Sequence, residues 1–181
     1  MRSPCPPSVA RLVCLLGVMA LFAACHEPRN EPATPASTPD AVASGPHRVL
    51  WVVDGDTIQV DMGGRKEMVR FLYINTPERR QHGYEEATAA LTTLIAGRAV
   101  TLEFEGPGRA RRDKYGRLLA YVRAGDLNLN LEMVRQGMTR FYTVFGRGDH
   151  ARAFEQAEAG ARASRAGLWT AEGFNPRPWG R

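Results

Sequence analysis

Between residues 48 and 172, apolar and polar positions follow two periods. Thr57-Ile-Gln-Val-Asp-Met62 alternates strictly, as a half-buried strand does, and Gly63-Gly64 follows it as a hairpin turn. Before it, Val49-Leu-Trp-Val-Val53 is a β-rich run that Asp54-Gly55-Asp56 breaks as a tight turn. After it, Met68-Val-Arg-Phe-Leu-Tyr-Ile74 predicts a third strand, ended by Pro77, which has no N–H to give a ladder. Together these segments predict a β-meander. Val100-Thr-Leu-Glu-Phe104 and Leu118-Leu-Ala-Tyr-Val122 predict a fourth and a fifth strand, separated by a polar, basic loop from Gly106 to Tyr115.

The second period is helical. Tyr84, Ala87, Leu91, Leu94 and Ile95 recur on one face, and Gly97 closes the segment. Asn130 is placed to cap a short helix that runs through Gln136 and stops at Gly137. Phe154, Ala157, Ala161 and Leu168 mark a last amphipathic helix. Five strands with a helix inserted after the third, then two more helices, predict an α+β fold. A small antiparallel barrel closed by helices would hide the strand edges. A flat sheet backed by helices satisfies the same periodicity.

The ends of the chain read differently. Arg2 and Arg11 precede an apolar run of thirteen residues, Leu12 to Ala24. It is too short to span a bilayer and has the length of a secretion-signal core. Residues 1–24 are therefore expected to be a signal peptide. The small residues before Cys25 resemble a bacterial lipoprotein cleavage site, with Cys25 as the lipidated residue. Export to the periplasm, anchorage to the envelope or secretion is the expected destination. Residues 25–46 hold five prolines and little that can be buried, which predicts an extended, disordered tether. Residues 173–181 read as an irregular tail. The folded domain is expected at 48–172, enough for one sizeable core.

Composition narrows the chemistry. The net charge is +5, and 22 of the 24 basic residues are Arg. Guanidinium groups match phosphate bidentately, so the bias suits an anionic partner. Cys5, Cys14 and Cys25 are the only cysteines, so the mature domain has no thiol for a disulfide or a thiolate metal site. Any metal must use oxygen or imidazole ligands. His47, His82 and His150 lack zinc-site spacing, and no Ser stands in a nucleophile motif.

Three short segments carry candidate chemistry. Asp54 and Asp56 flank Gly55, and paired carboxylates without thiol or imidazole suit Ca²⁺ or Mg²⁺. Arg70 lies in an apolar stretch and so needs a carboxylate partner or an anionic ligand. Pro77 stiffens Asn75-Thr76-Pro77-Glu78, where Asn75 can offer an oxygen to a metal and Glu78 can accept a proton from water. Arg109, Arg111, Arg112, Lys114 and Arg117 surround Tyr115, a pattern suited to a phosphodiester backbone and also to a solvated loop.

The ordered set Asp54-Gly-Asp-Thr57, Arg70 with Asn75-Thr-Pro-Glu78, Asp113-Lys-Tyr-Gly-Arg117, Val134-Arg-Gln-Gly137 and Gly167-Leu-Trp169 resembles the staphylococcal nuclease (thermonuclease) family. The resemblance runs from Val49 to Trp169. It implies a five-stranded OB-fold β-barrel with three helices. It implies a Ca²⁺-dependent phosphodiesterase that cuts DNA and RNA, leaves 3′-phosphate ends and works as a monomer. On the matching positions Asp56, Asn75 and the Thr76 main-chain carbonyl would hold Ca²⁺, with Asp54 behind them. Glu78 would be the general base, and Arg70 and Arg117 would grip the scissile phosphate. Lys114 and Tyr115 would touch a neighbouring phosphate. Two departures stand out. Asn75 occupies the place of a carboxylate ligand, which implies weaker Ca²⁺ binding or an altered choice of metal. Thr143-Val-Phe145 falls where the family stacks substrate on tyrosines; Phe145 can stack and Thr143 cannot. The rival expectation is an OB-fold module that holds nucleic acid without cutting it.

Overall fold

The computed structural model describes residues 43–106, 110–171 and 173–174. The signal segment, Cys25, the tether up to residue 42, Arg109 and the tail from 175 lie outside the described residues. Five strands carry the fold: β1 (Ala43–Asp54), β2 (Thr57–Met62), β3 (Arg65–Phe71), β4 (Ala99–Glu103) and β5 (Leu118–Ala124). β1 pairs antiparallel with β2 and β4, β2 with β3, and β4 with β5. The barrel closes through a parallel pair, with Val69, Arg70 and Phe71 of β3 opposite Leu118, Leu119 and Ala120 of β5. The expected all-antiparallel closure is corrected at this seam. A parallel pair needs a long crossover, and α1 (Tyr84–Ile95) with β4 supplies it. α2 (Leu129–Arg135) and α3 (Ala151–Ser164) complete the fold. The protein is thus α+β, a closed five-stranded OB-type barrel with three helices among the described residues.

Alternation dictates the interior. Ile58 and Val60 of β2, Val69 and Phe71 of β3, Val100 and Leu102 of β4, and Ala120 and Val122 of β5 all point inward and are buried. Leu91 of α1, Met133 of α2 and Phe154 of α3 seal the barrel. Phe154 stacks on Phe141, with ring centroids 5.1 Å apart. Each large apolar side chain so buried contributes about 1.5–3 kcal/mol.

Several boundaries differ from expectation. β1 begins at Ala43, so residues 43–46, expected in the tether, are strand. Ala43 and Ser44 lie opposite Glu103 and Leu102, a pairing that a Pro-rich composition conceals. Pro46 falls where the ladder is irregular, between Ser44 and His47, so its missing N–H is tolerated there. The third strand starts at Arg65 and stops at Phe71, because Tyr73 adopts a left-handed φ of 59°. The last helix ends at Ser164, and Leu168 packs beyond it rather than within it.

Asn130 is not a helix cap. Asn128 caps α2, its side chain accepting the Leu131 N–H at 3.1 Å. Asn130 is fully buried, and its amide joins β5 and the turn after β3 to the helix. Its Oδ1 accepts the Val122 N–H at 2.9 Å, and its Nδ2 donates to the carbonyls of Leu72 (2.9 Å) and Ala120 (3.3 Å). Buried polar groups left without partners cost about 1–3 kcal/mol each. Asn130→Ala is therefore expected to lower unfolding free energy by about 2–5 kcal/mol, read from denaturant melts; a loss within error would exclude the clamp.

Candidate active site

The site grows from the turn between β1 and β2. Asp54 accepts the Asp56 N–H at 3.0 Å and so curls the Asp-Gly-Asp turn upon itself. Asp56 is only 4% exposed, yet its carboxylate is fully engaged. Oδ2 accepts the Thr76 N–H (2.7 Å) and the Thr76 hydroxyl (3.0 Å). Oδ1 accepts the Thr57 hydroxyl at 3.1 Å and pairs with Arg70 Nε at 3.1 Å. Gly55 permits this close packing, since a Cβ there would come within 2.8 Å of the Thr76 and Ala87 side chains.

Arg70 sits on the outer face of β3, directly across from Thr57. Its side chain is 13% exposed, and its charge finds the carboxylate that its apolar neighbourhood requires. Nη2 donates to Asn75 Oδ1 at 2.9 Å, and Nη1 to the Phe71 carbonyl at 2.6 Å. One guanidinium thus bridges Asp56 and Asn75. The Asn75–Glu78 turn is pinned from the far side of the chain. Ile74 and Asn75 pair with Phe141 and Arg140, and the buried Thr139 hydroxyl accepts the Asn75 N–H at 3.1 Å.

Arg117 arrives from the start of β5. Its Nη1 reaches the Thr57 hydroxyl at 3.4 Å, while Nε donates to Asp113 Oδ2 at 2.7 Å. Burial alone would raise the Asp113 carboxyl, but hydrogen bonds from Arg117 and Tyr115 hold it below the usual range. Arg117 and Lys114 both lie over the Tyr115 ring, at 5.5 and 5.0 Å, and that ring is 72% exposed. Asp54 behaves oppositely. Burial, and then the neighbouring Asp56 charge, push its pKa up to about 6.

The structure therefore brings together Asp54, Asp56, Arg70, Asn75, Thr76 and, through Thr57, Arg117. Glu78 stands apart in one respect. It is exposed two residues beyond Thr76, its N–H donates to Gln81 Oε1 at 2.7 Å, and its carboxylate has no partner among the described residues. Phe145 is also exposed and meets Tyr142 edge-on, with no contact to the Asp56 cluster. The basic loop is less positive than its sequence implies. Arg111 pairs with Glu105 and Arg112 with Glu67, each at 2.9 Å, which leaves Lys114 without an acidic partner among the described residues. Thr57 and Thr139 were not singled out from sequence. Thr57 directly follows Asp56 in the motif, whereas nothing in the sequence links Thr139 to Asn75 across 64 residues.

The side-chain oxygens gathered here suit a hard divalent cation: the Asp56 carboxylate, the Asp54 carboxylate beside it and the Asn75 amide oxygen that shares Arg70. Among the described residues no three His, Cys, Asp or Glu side chains form a metal cluster, so the set is poor in carboxylates. The donors fit a cation in kind and are few in charge.

Comparison with known proteins places this arrangement. The family profile described as "Staphylococcal nuclease homologue" matches residues 68–171, more than half of the chain. An uncharacterized endonuclease of Escherichia coli O157:H7 is 37% identical over 134 residues, covering 73% of this chain and 81% of its own. The thermonuclease of Staphylococcus intermedius is 32% identical over 127 residues, covering 67% and 74% respectively. The endonuclease YncB of Bacillus subtilis is 31% identical over 129 residues, and the match spans only 60% of its length. An uncharacterized Bacillus anthracis protein, 35% identical, is likewise matched over 62% of its length. With this barrel, the ordered motifs and these relatives in hand, the chain belongs to the staphylococcal nuclease family.

Proposed function

We propose that this protein is an exported, Ca²⁺-dependent nuclease that hydrolyses phosphodiester bonds in DNA and RNA. The observation that carries the reading is the convergence of Arg70, from β3, and Arg117, from the residue just before β5, on the Thr57–Asp56 pair. Two fork-shaped donors held by packed partners match the charge that accumulates on a pentacoordinate phosphorus. Asp56 and Asn75 orient Arg70, and Asp113 orients Arg117, so neither guanidinium has to be ordered when substrate arrives. Glu78, free at the adjacent turn, takes the proton of the attacking water. The new P–O bond forms as the P–O5′ bond breaks, and the departing O5′ takes a proton from solvent, which leaves a 3′-phosphate and a 5′-hydroxyl. Asp56, Asn75 and the Thr76 carbonyl would hold Ca²⁺, which neutralises phosphate charge when bound. Lys114 and Tyr115 would meet the next phosphate.

Cleavage of single-stranded DNA with Ca²⁺, repeated with a chelator, tests this directly. Loss of cleavage with the chelator is expected; cleavage indifferent to it removes the metal role. Asn75→Asp adds a charge to the site and is expected to tighten Ca²⁺ about tenfold, measured by titrating activity. Saturation of the natural protein at micromolar Ca²⁺ contradicts the weakening assigned to Asn75. An OB-fold binding module without catalysis is the second reading, favoured by the same amide. It predicts DNA binding with no cleavage under any metal. Export rests on residues 1–24 and a lipid anchor on Cys25; recovery of the intact chain from the cytoplasm overturns both.

A further inference from the structure

Trp51 lies outside every role assigned above. The alternation of β1 fails on sequence, because Val49, Leu50, Trp51 and Val52 are all apolar. A ladder irregularity resolves it: Val49 pairs with Val60, Trp51 with Gln59, and Leu50 is the extra residue. Val49 thus keeps to the core side, and Trp51 emerges on the outer face, 67% exposed. An exposed indole on a sheet is a platform on which a planar base can stack.

That face is continuous with the guanidinium site. Directly paired residues share a face, so three rows cross the outside of β1–β3. The first is Thr57 with Arg70, the second Trp51 with Gln59 and Met68, the third Arg48 with Asp61 and Lys66. Adjacent rows lie about 7 Å apart and strands about 4.8 Å. Gln59 Nε2 and Met68 Sδ approach to 3.8 Å, a flat floor beside the indole. The third row is net basic, since Arg48 offsets Asp61 and Lys66 is exposed.

We propose that this face carries single-stranded nucleic acid away from the cutting site, with one unpaired base stacked on Trp51. The inference rests on the nuclease reading and adds a subsite to it. An exposed indole stacks any base, cations flank it at both ends, and the run stays within the ~4–16 nucleotides an OB-type fold covers. A paired base cannot present its face, so the subsite selects unpaired strands.

Anisotropy titrations of labelled oligothymidylates of two and six nucleotides, with chelator so that nothing is cut, test the proposal. The six-mer is expected to bind the natural protein about tenfold more tightly than the dimer. Trp51→Ala should erase that advantage and leave dimer binding unchanged, while Trp51→Phe should keep most of it. An unchanged six-mer affinity in Trp51→Ala overturns the subsite alone, as does equal binding of a duplex of the same length. If the natural protein neither binds six-mer nor cleaves with Ca²⁺, the nuclease reading fails and the subsite falls with it.

Discussion

Arg70→Ala will cut turnover of single-stranded DNA by about 1,000-fold or more and will also loosen the fold. The two losses have one origin. Arg70 is the only cation within bonding distance of Asp56 among the described residues, and Asp56 is almost wholly buried. Removing one partner of a buried pair strands the other charge, at a cost of about 3–5 kcal/mol. The variant should therefore melt at a lower denaturant concentration and show its activity loss even where it remains folded. Arg70→Lys separates the contributions. It keeps a charge beside Asp56 but cannot also reach Asn75 and the Phe71 carbonyl as the fork does. Stability should return in large part and activity should not. Full recovery of turnover by lysine would reduce Arg70 to a counterion.

Glu78→Gln has the opposite profile. A lost general base costs about 100- to 10,000-fold in rate, while an exposed carboxylate without partners contributes within about 0.5 kcal/mol to stability. The amide is nearly isosteric, and the Gln81 bond to residue 78 uses the main chain, so the turn is kept. The measurement is kcat with denaturation midpoint on the same preparation. A rate close to that of the natural protein removes Glu78 as the base. A large drop in midpoint would instead assign it a structural role.

Local sequence carried the strands, the first helix and the Asp-Gly-Asp turn, because period and turn chemistry are properties of neighbouring residues. It carried Arg70 as well, since a guanidinium in an apolar strand demands a partner. The seam between β3 and β5 was not legible, because strand pairing across 49 residues leaves no local mark. Asn130 misled for a related reason. Its amide looks like a cap in sequence and is claimed instead by β5 and by the turn after β3, which only tertiary packing brings near. The basic loop misled because Glu67 and Glu105, which neutralise Arg112 and Arg111, come from other segments.

The seam has a temporal consequence. Arg70 stands on one lip of it, opposite Leu119, and Arg117 immediately precedes the other lip at Leu118. Contacts so remote in the chain form late, since their loop-closure entropy must be met first. On the proposed reading, a ribosome-bound or translocating polypeptide holds its two phosphate-gripping groups on separate, unjoined edges. If the chain is exported as proposed, the cell that makes it meets no assembled site until the barrel zips shut beyond the membrane.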